Sequence, residues 1–130
     1  MKKLLLIILL MSVGRWVYSQ NCMEYDTVGN YEKAFTCFMT DSADSYIQYK
    51  IGEYYYEGKA VPKNYDEAVK WFIKSADANN ADGQNNLGYC YRRGKGVAQN
   101  DQMAVHYFTL AANQNNSFAE YNLAWCYENG

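Results

Sequence analysis

The stretch SYIQYKIGEYYYEGKAVPKNYDEAVKWFIKSADANN at 45–80 decides the fold, because ADGQNNLGYCYRRGKGVAQNDQMAVHYFTLAANQNN at 81–116 lies over it without a gap. The shift is 36 residues. Gln48, Gly52, Tyr55, Gly58, Lys59, Val61, Asn64, Ala68, Val69, Phe72, Ala76, Asn79 and Asn80 return as Gln84, Gly88, Tyr91, Gly94, Lys95, Val97, Asn100, Ala104, Val105, Phe108, Ala112, Asn115 and Asn116. A third, partial copy at 117–130 carries Leu123, Cys126, Tyr127 and Gly130 in register. A fixed period of about 20–50 residues marks a stack of identical supersecondary units. Such stacks are quasi-one-dimensional and present extended binding surfaces.

Within one unit the apolar spacing is helical. Ile47, Ile51 and Tyr55 recur every fourth residue, and Gly58 ends the run. Gly52 inside that helix costs about 1 kcal/mol against alanine. Its return as Gly88 predicts a close approach by a second helix. The segment from Gly58 to Lys63, and its partner from Gly94 to Gln99, reads as a tight connection. The apolar Val61 and Val97 in these polar loops are expected to plug the helix pair. Asn64 is a strong N-cap, and Glu67 three residues on completes the pattern of a capping box. The second helix is expected to run to about Ala78. Ala68, Phe72, Ser75 and Ala76 line its core face with Trp71 beside them, and Ala104, Tyr107, Phe108, Ala111 and Ala112 do so in the next unit. Asn79-Asn80 and Asn115-Asn116 form the turns between units.

The fold expected is all-α: an α/α solenoid of antiparallel helix pairs with a 36-residue period. The chain divides into a leader at 1–19, an N-terminal segment at 20–29 and a lone leading helix at 30–44. Units at 45–80 and 81–116 follow, and a partial unit at 117–130 supplies a first helix only. The leading helix is read from Asn30, Ala34 and Phe38, which precede Asn64, Ala68 and Phe72 by 34 residues. Residues 20–29 are too few and too polar to supply it with a partner.

The unit Leu87-Gly88, Tyr91, Gly94-Lys95-Gly96-Val97, Ala104, Tyr107-Phe108 and Ala111-Ala112 resembles the Sel1-like repeat, a relative of the tetratricopeptide repeat with a longer Gly-x-Gly-Val loop. Ile51-Gly52, Tyr55, Gly58-Lys59-Ala60-Val61, Ala68, Trp71-Phe72 and Ser75-Ala76 match in the preceding unit. The resemblance covers about residues 30–130. It departs at Ala60 and Ala124, where glycine is usual, and at Asp101, where an aromatic is common. It implies an α-solenoid that holds other proteins together. Exported cysteine-rich relatives carry a disulfide in each repeat. The corresponding regions around Ala76 and Ala112 hold no cysteine, so that pattern is not expected here.

The N-terminus reads as a secretory signal. Lys2 and Lys3 precede an apolar run of about ten residues, and Val17-Tyr18-Ser19 suits cleavage before Gln20. A retained anchor is the alternative, but a bilayer span needs about 20 apolar residues. The expectation is an exported protein, periplasmic or extracellular, with no stable membrane span after cleavage. Removing 1–19 takes away three basic residues and no acid, moving the net charge from −2 to −5. An acidic chain without a basic cluster argues against nucleic acid and anionic membranes. Hydrophobic residues make up 49% of the chain, enough for a packed core.

Cys22, Cys37, Cys90 and Cys126 remain after cleavage. Cys90 and Cys126 occupy one position in successive units. Packed helices lie about 8–10 Å apart and a disulfide needs Cα atoms within about 7 Å, so these two read as small buried hydrophobes. Cys22 and Cys37 are the better candidates for a bond.

Repeats of this kind bind on a concave side lined by their first helices. The residues opposite the core face are Tyr49, Glu53 and Tyr56, then Asn85, Tyr89 and Arg92, then Tyr121, Trp125 and Glu128. They are the candidate binding residues for a peptide or protein ligand. Packing against neighbouring helices competes for the same aromatics. No catalytic residue, metal site or cofactor is expected. His106 matches Lys70 on an outer face, and the cysteines lack zinc spacing. There is no nucleophile elbow and no Ser-x-x-Lys, which disfavours the β-lactam hydrolase activity ascribed to some cysteine-rich relatives. The reading is an exported interaction module and not an enzyme. A structural piece or cap of a longer parent array, and a homodimer of small solenoids, stay open as alternatives.

Overall fold

The computed structural model describes Gly14 and residues 21–129. The leader at 1–19, Gly14 apart, and Gln20 lie outside the described residues. The chain divides into two compact units, Met1–Asp41 and Ser42–Gly130. No strand occurs among the described residues.

In the N-terminal unit residues 21–27 are helical, which corrects the expectation of a lone leading helix. A turn through Gly29, with φ of 77°, leads into α1, Tyr31–Thr40. Asn30 caps α1 by accepting the Lys33 N–H. Cys22 and Cys37 are joined by a disulfide with their Cα atoms 5.4 Å apart. A helix of two turns is marginal alone, and this bond ties it to α1. The sequence separation is 15, and a loop of that size gives a chain-entropy stabilisation of about 3 kcal/mol. Cys22→Ala is therefore expected to lower the stability of this unit by about 3 kcal/mol under oxidising conditions. The check is thiol titration beside thermal unfolding. Two thiols should react in the unfolded, unreduced wild-type chain, and four would remove the argument. Cys90 is buried, which pushes its thiol up to about 12, while Cys126 is half-buried. Only Cys126 should react before unfolding.

The C-terminal unit holds α2 (Ser45–Glu57), α3 (Tyr65–Asp77), α4 (Ala81–Arg93), α5 (Asp101–Ala112) and α6 (Ser117–Asn129). Each helix packs on the next, and the first helices also touch in series, α2 on α4 and α4 on α6. This unit thus forms two antiparallel pairs followed by one further first helix.

The local chemistry sets these boundaries. Asp44 caps α2, accepting from Tyr46 N and Ile47 N at 2.8 and 3.1 Å. Gly58 and Gly94 close α2 and α4 in the left-handed conformation, with φ of 75° and 61°. Asn64 and Asn100 cap α3 and α5 through the N–H groups of Glu67 and Met103. The capping box at Asn64 is only half made. The Asn64 N–H donates instead to Tyr55 O at 2.9 Å, and Asn100 N–H repeats this to Tyr91 O at 2.9 Å. These two bonds tie each second helix to the first helix of its own pair. Glu67 turns to Lys70.

The core lies between the pairs. Ala68, Val69, Phe72 and Ala76 of α3 pack with Leu87 and Cys90 of α4, and Val97 from the loop joins them. In α2 the buried set is Ile47, Ile51, Gly52 and Tyr54, with Tyr55 half-buried. A strict four-residue spacing drifts off the face, and the 3.6-residue turn brings Tyr54 inward. A Cβ at Gly52 would lie 2.5 Å from Phe72 Cε1, and one at Gly88 2.8 Å from Phe108 Cδ1. The interior glycines therefore let the phenylalanine of each second helix seat on its first helix.

Polar side chains bind the units in register. Buried Ser75 Oγ donates to Ser45 O at 2.7 Å. Buried Gln84 donates to Asn79 Oδ1 at 3.1 Å and accepts from Gln114 Nε2 at 2.7 Å. Asn116 Nδ2 donates to Asp82 Oδ1 at 2.8 Å. Asn79 and Asn115 take φ of 60° and 61° in the turns between units.

Candidate functional site

The nine residues read as a binding face lie on α2, α4 and α6 and receive different environments. Tyr49 and Tyr56 on α2 are half-buried and pack against the core cluster. Burial, then a hydrogen bond to Glu53, pushes the Tyr49 phenol up from its ordinary value. Burial pushes Tyr56 up to about 12, with Cys90 and Tyr89 adding to it. Both stay neutral at pH 7 and offer ring faces and O–H groups, not charge. Glu53 is paired with Lys50 at 3.0 Å. On α2, packing takes most of the face.

The face becomes freer along the chain. The Tyr56 ring meets Tyr89 edge-on at 6.5 Å, linking α2 to α4. Asn85 accepts from Asn122 Nδ2 at 3.0 Å, linking α4 to α6. Arg92 holds its guanidinium 4.7 Å from the Trp125 ring, 5.1 Å from Tyr89 and 5.9 Å from Phe108. On α6 Trp125 is 44% exposed and Tyr121 71%, and Glu128 is exposed. The structure thus gathers Tyr56, Tyr89, Arg92 and Trp125 into one continuous cluster. Tyr49 stays with Glu53, and Tyr121 and Glu128 stand outside the cluster on α6.

Sequence reading missed Arg93. It lies 5.7 Å over the Tyr89 ring, so two guanidiniums share that side chain. The available signal was the pair Arg92-Arg93, which replaces Tyr56-Glu57 of the preceding unit and Glu128-Asn129 of the next. Beside these arginines a groove of about 680 Å³ runs between the end of α4, the start of α5 and α6. A smaller one of about 290 Å³ lies among Glu53, Tyr56, Phe72, Asn86 and Tyr89.

His106 is exposed against Tyr107. Among the described residues no group of three or more His, Cys, Asp or Glu side chains could hold a metal ion. No helix among them is long and apolar enough to cross a membrane.

The arrangement is shared with known proteins. The chain is 34% identical, with a TM-score of 0.79, to a Sel1 repeat protein from Oxalobacter formigenes, over 83% of this chain and 44% of that one. A protective antigen of uropathogenic Escherichia coli with an SLR fold superposes with a TM-score of 0.78 at 26% identity, over 85% of this chain and 25% of that one. Helicobacter pylori cysteine rich protein B gives a TM-score of 0.67 at 25% identity, over 83% of this chain and 90% of that one. A sel1-like repeat-containing protein of Acanthamoeba polyphaga mimivirus is 48% identical over 42 residues, which are 32% of this chain and 7% of the viral protein. This chain therefore spans less than half the length of several of its relatives. The Sel1 repeat family matches residues 45–80, 81–116 and 117–130. Such repeats are generally protein–protein interaction modules and typically non-enzymatic. With most of its length so matched and its helix pairs stacked accordingly, this chain belongs to the Sel1 repeat family.

Proposed function

We propose that this chain is an exported interaction module that binds a peptide or protein segment on the concave side formed by α2, α4 and α6. The observation that carries the reading is the Tyr89–Arg92–Trp125 cluster. Its arginine and aromatic side chains keep exposed surface on a rigid helical scaffold. Tyrosine, tryptophan and arginine are the residues that dominate interface energetics, since each adds large contact area with a polar tip. Support for export comes from the basic and apolar start of the sequence and from the Cys22–Cys37 bond, which suits an oxidising compartment.

The test is peptide phage display against residues 20–130, with selected binders measured on Tyr89→Ala and Trp125→Ala. Each substitution is expected to weaken binding by about 2 kcal/mol, roughly thirtyfold. Binders indifferent to both changes would place the site elsewhere. Mass spectrometry of the protein expressed with its own leader should find a chain starting at Gln20. An uncleaved cytoplasmic product would defeat the export reading.

A further inference from the structure

We propose that the cleft between α2 and α4 is a subsite for an arginine side chain of the partner segment, with Glu53 and Glu57 as its acids and Tyr56, Phe72 and Tyr89 as its walls. This names the chemistry of the partner and rests on the interaction reading above. Three observations lead to it.

The first is that the chain fills the same place one unit on with an arginine of its own. A shift of 36 residues carries Tyr56, Phe72, Asn86 and Tyr89 onto Arg92, Phe108, Asn122 and Trp125. Arg92 sets its guanidinium 4.7 Å from the Trp125 ring and 5.9 Å from Phe108. Ring faces attract a cation within about 6 Å. The seat between successive first helices, backed by the phenylalanine of a second helix, thus holds a guanidinium once within this chain.

The second is the reason that the seat between α2 and α4 is open. Tyr56 stands at the place of Arg92, but its ring leans on Tyr65 at 5.0 Å and reaches Phe72 and Tyr89 only at 6.3 and 6.5 Å. The next unit has Asp101 where Tyr65 stands, and so no ring to draw its residue aside. What remains is a cleft of about 290 Å³ lined by Glu53, Tyr56, Glu57, Phe72, Asn86 and Tyr89. Its walls belong to the two complete units, and it stays open with the loop of the following unit in place on Tyr65. Small-molecule sites occupy about 300–1,000 Å³, so this space suits one long side chain better than a cofactor.

The third is charge. The same shift puts Tyr89 and Arg93 where the cleft has Glu53 and Glu57, so both acids mark the open seat. Glu53 is half-buried and pairs with Lys50 at 3.0 Å, while Glu57 is exposed and pairs with Lys59. An exposed pair of the second kind contributes little, and an incoming guanidinium can take the place of Lys59. The opposing charge is Arg93, which is exposed 5.7 Å over Tyr89 and screened by water and salt. Arginine fits the seat better than lysine. Its planar fork lies against ring faces while two N–H groups meet a carboxylate edge-on.

The experiment titrates the full chain with acetyl-arginine amide, acetyl-citrulline amide and acetyl-lysine amide, and follows Tyr56, Asn86 and Tyr89 by nuclear magnetic resonance. Citrulline keeps the shape of arginine without its charge. The arginine compound should shift all three residues saturably, with a Kd in the millimolar range expected of a single side chain. The citrulline and lysine compounds should bind at least about fivefold more weakly. Glu53→Gln should weaken the arginine compound by a similar factor, and Arg93→Gln should strengthen it. Tyr56→Arg puts the residue of the next unit into the seat. It should unfold at the temperature of wild type and no longer bind the arginine compound. Equal binding of the arginine and citrulline compounds overturns the proposal. So does a response that survives Glu53→Gln and disappears in Trp125→Ala, which moves the cation to α6. No response at the three residues also overturns it and leaves the interaction reading standing, because phage selection tests that reading independently.

Discussion

Gly96→Ala will lower the stability of the C-terminal unit by about 2–4 kcal/mol, combining a left-handed backbone cost with overpacking. Gly96 has φ of 69°. A Cβ there would lie 2.3 Å from Tyr65 O and 2.5 Å from its carbonyl carbon. Tyr65 opens α3, so the loop of one unit rests directly on the backbone of the previous unit's second helix. Backbone atoms cannot rotate away as a side-chain end does. Ala60, at the equivalent place in the unit before, separates the two causes. It takes φ of 57° as alanine and is exposed. The left-handed cost, about 1–2 kcal/mol, is thus tolerated once. Contact makes the second position stricter. Ala60→Gly should be neutral or gain up to about 1 kcal/mol, since relief of the left-handed residue is offset by unfolded-state entropy. Urea unfolding followed by circular dichroism measures both. A loss below about 1 kcal/mol for Gly96→Ala would show that the loop can lift off α3.

This asymmetry marks how far the sequence could be read. The period, the asparagine caps and the left-handed ends at Gly58 and Gly94 are local, and local chemistry dictates them. The seats at Gly52 and Gly88 were legible because a helix keeps an interior glycine only against a cost. What the periodic pattern could not carry was the identity of the neighbour on each face. Tyr49, Tyr89 and Trp125 were drawn onto one face by spacing alone. Tyr49 is taken up by packing and Glu53, whereas Trp125 keeps 44% of its surface. The helix at 21–27 escaped because its residues are polar and few. Its order rests on the bond from Cys22 to Cys37, a connection that no periodicity displays. The half-made capping box was missed for a similar reason. The Asn64 N–H had already found Tyr55 O across the helix pair. Arg93 was passed over because it stands one residue beyond Arg92, about 100° round the helix from the face that the spacing picks out.

Phe108→Ala should cost about 3–5 kcal/mol, the range for emptying a buried phenylalanine site. Phe108 is fully buried, and its ring fills the space that Gly88 leaves. Collapse into that space is restricted, since α4 and α5 are already tied by Asn100 N–H to Tyr91 O at 2.9 Å. Gly88→Ala probes the same contact from the other side. Helix propensity alone would reward it by about 1 kcal/mol. The added methyl, 2.8 Å from the ring and 3.2 Å from Ala104 O, should reverse that sign and leave a net loss of about 1–2 kcal/mol. The two changes should not add, because the methyl of Gly88→Ala occupies part of the cavity that Phe108→Ala opens. A double-mutant cycle is expected to show a coupling of about 1 kcal/mol or more in the compensating direction. Ala124 supplies the control. It is exposed, so Ala124→Gly should show only the propensity cost of about 1 kcal/mol. Opposite responses to the same exchange at 88 and 124 would tie the interior glycines to the phenylalanine seat. If Gly88→Ala instead stabilises the chain, the ring moves aside at little cost, and the phenylalanine seat does not explain the glycine.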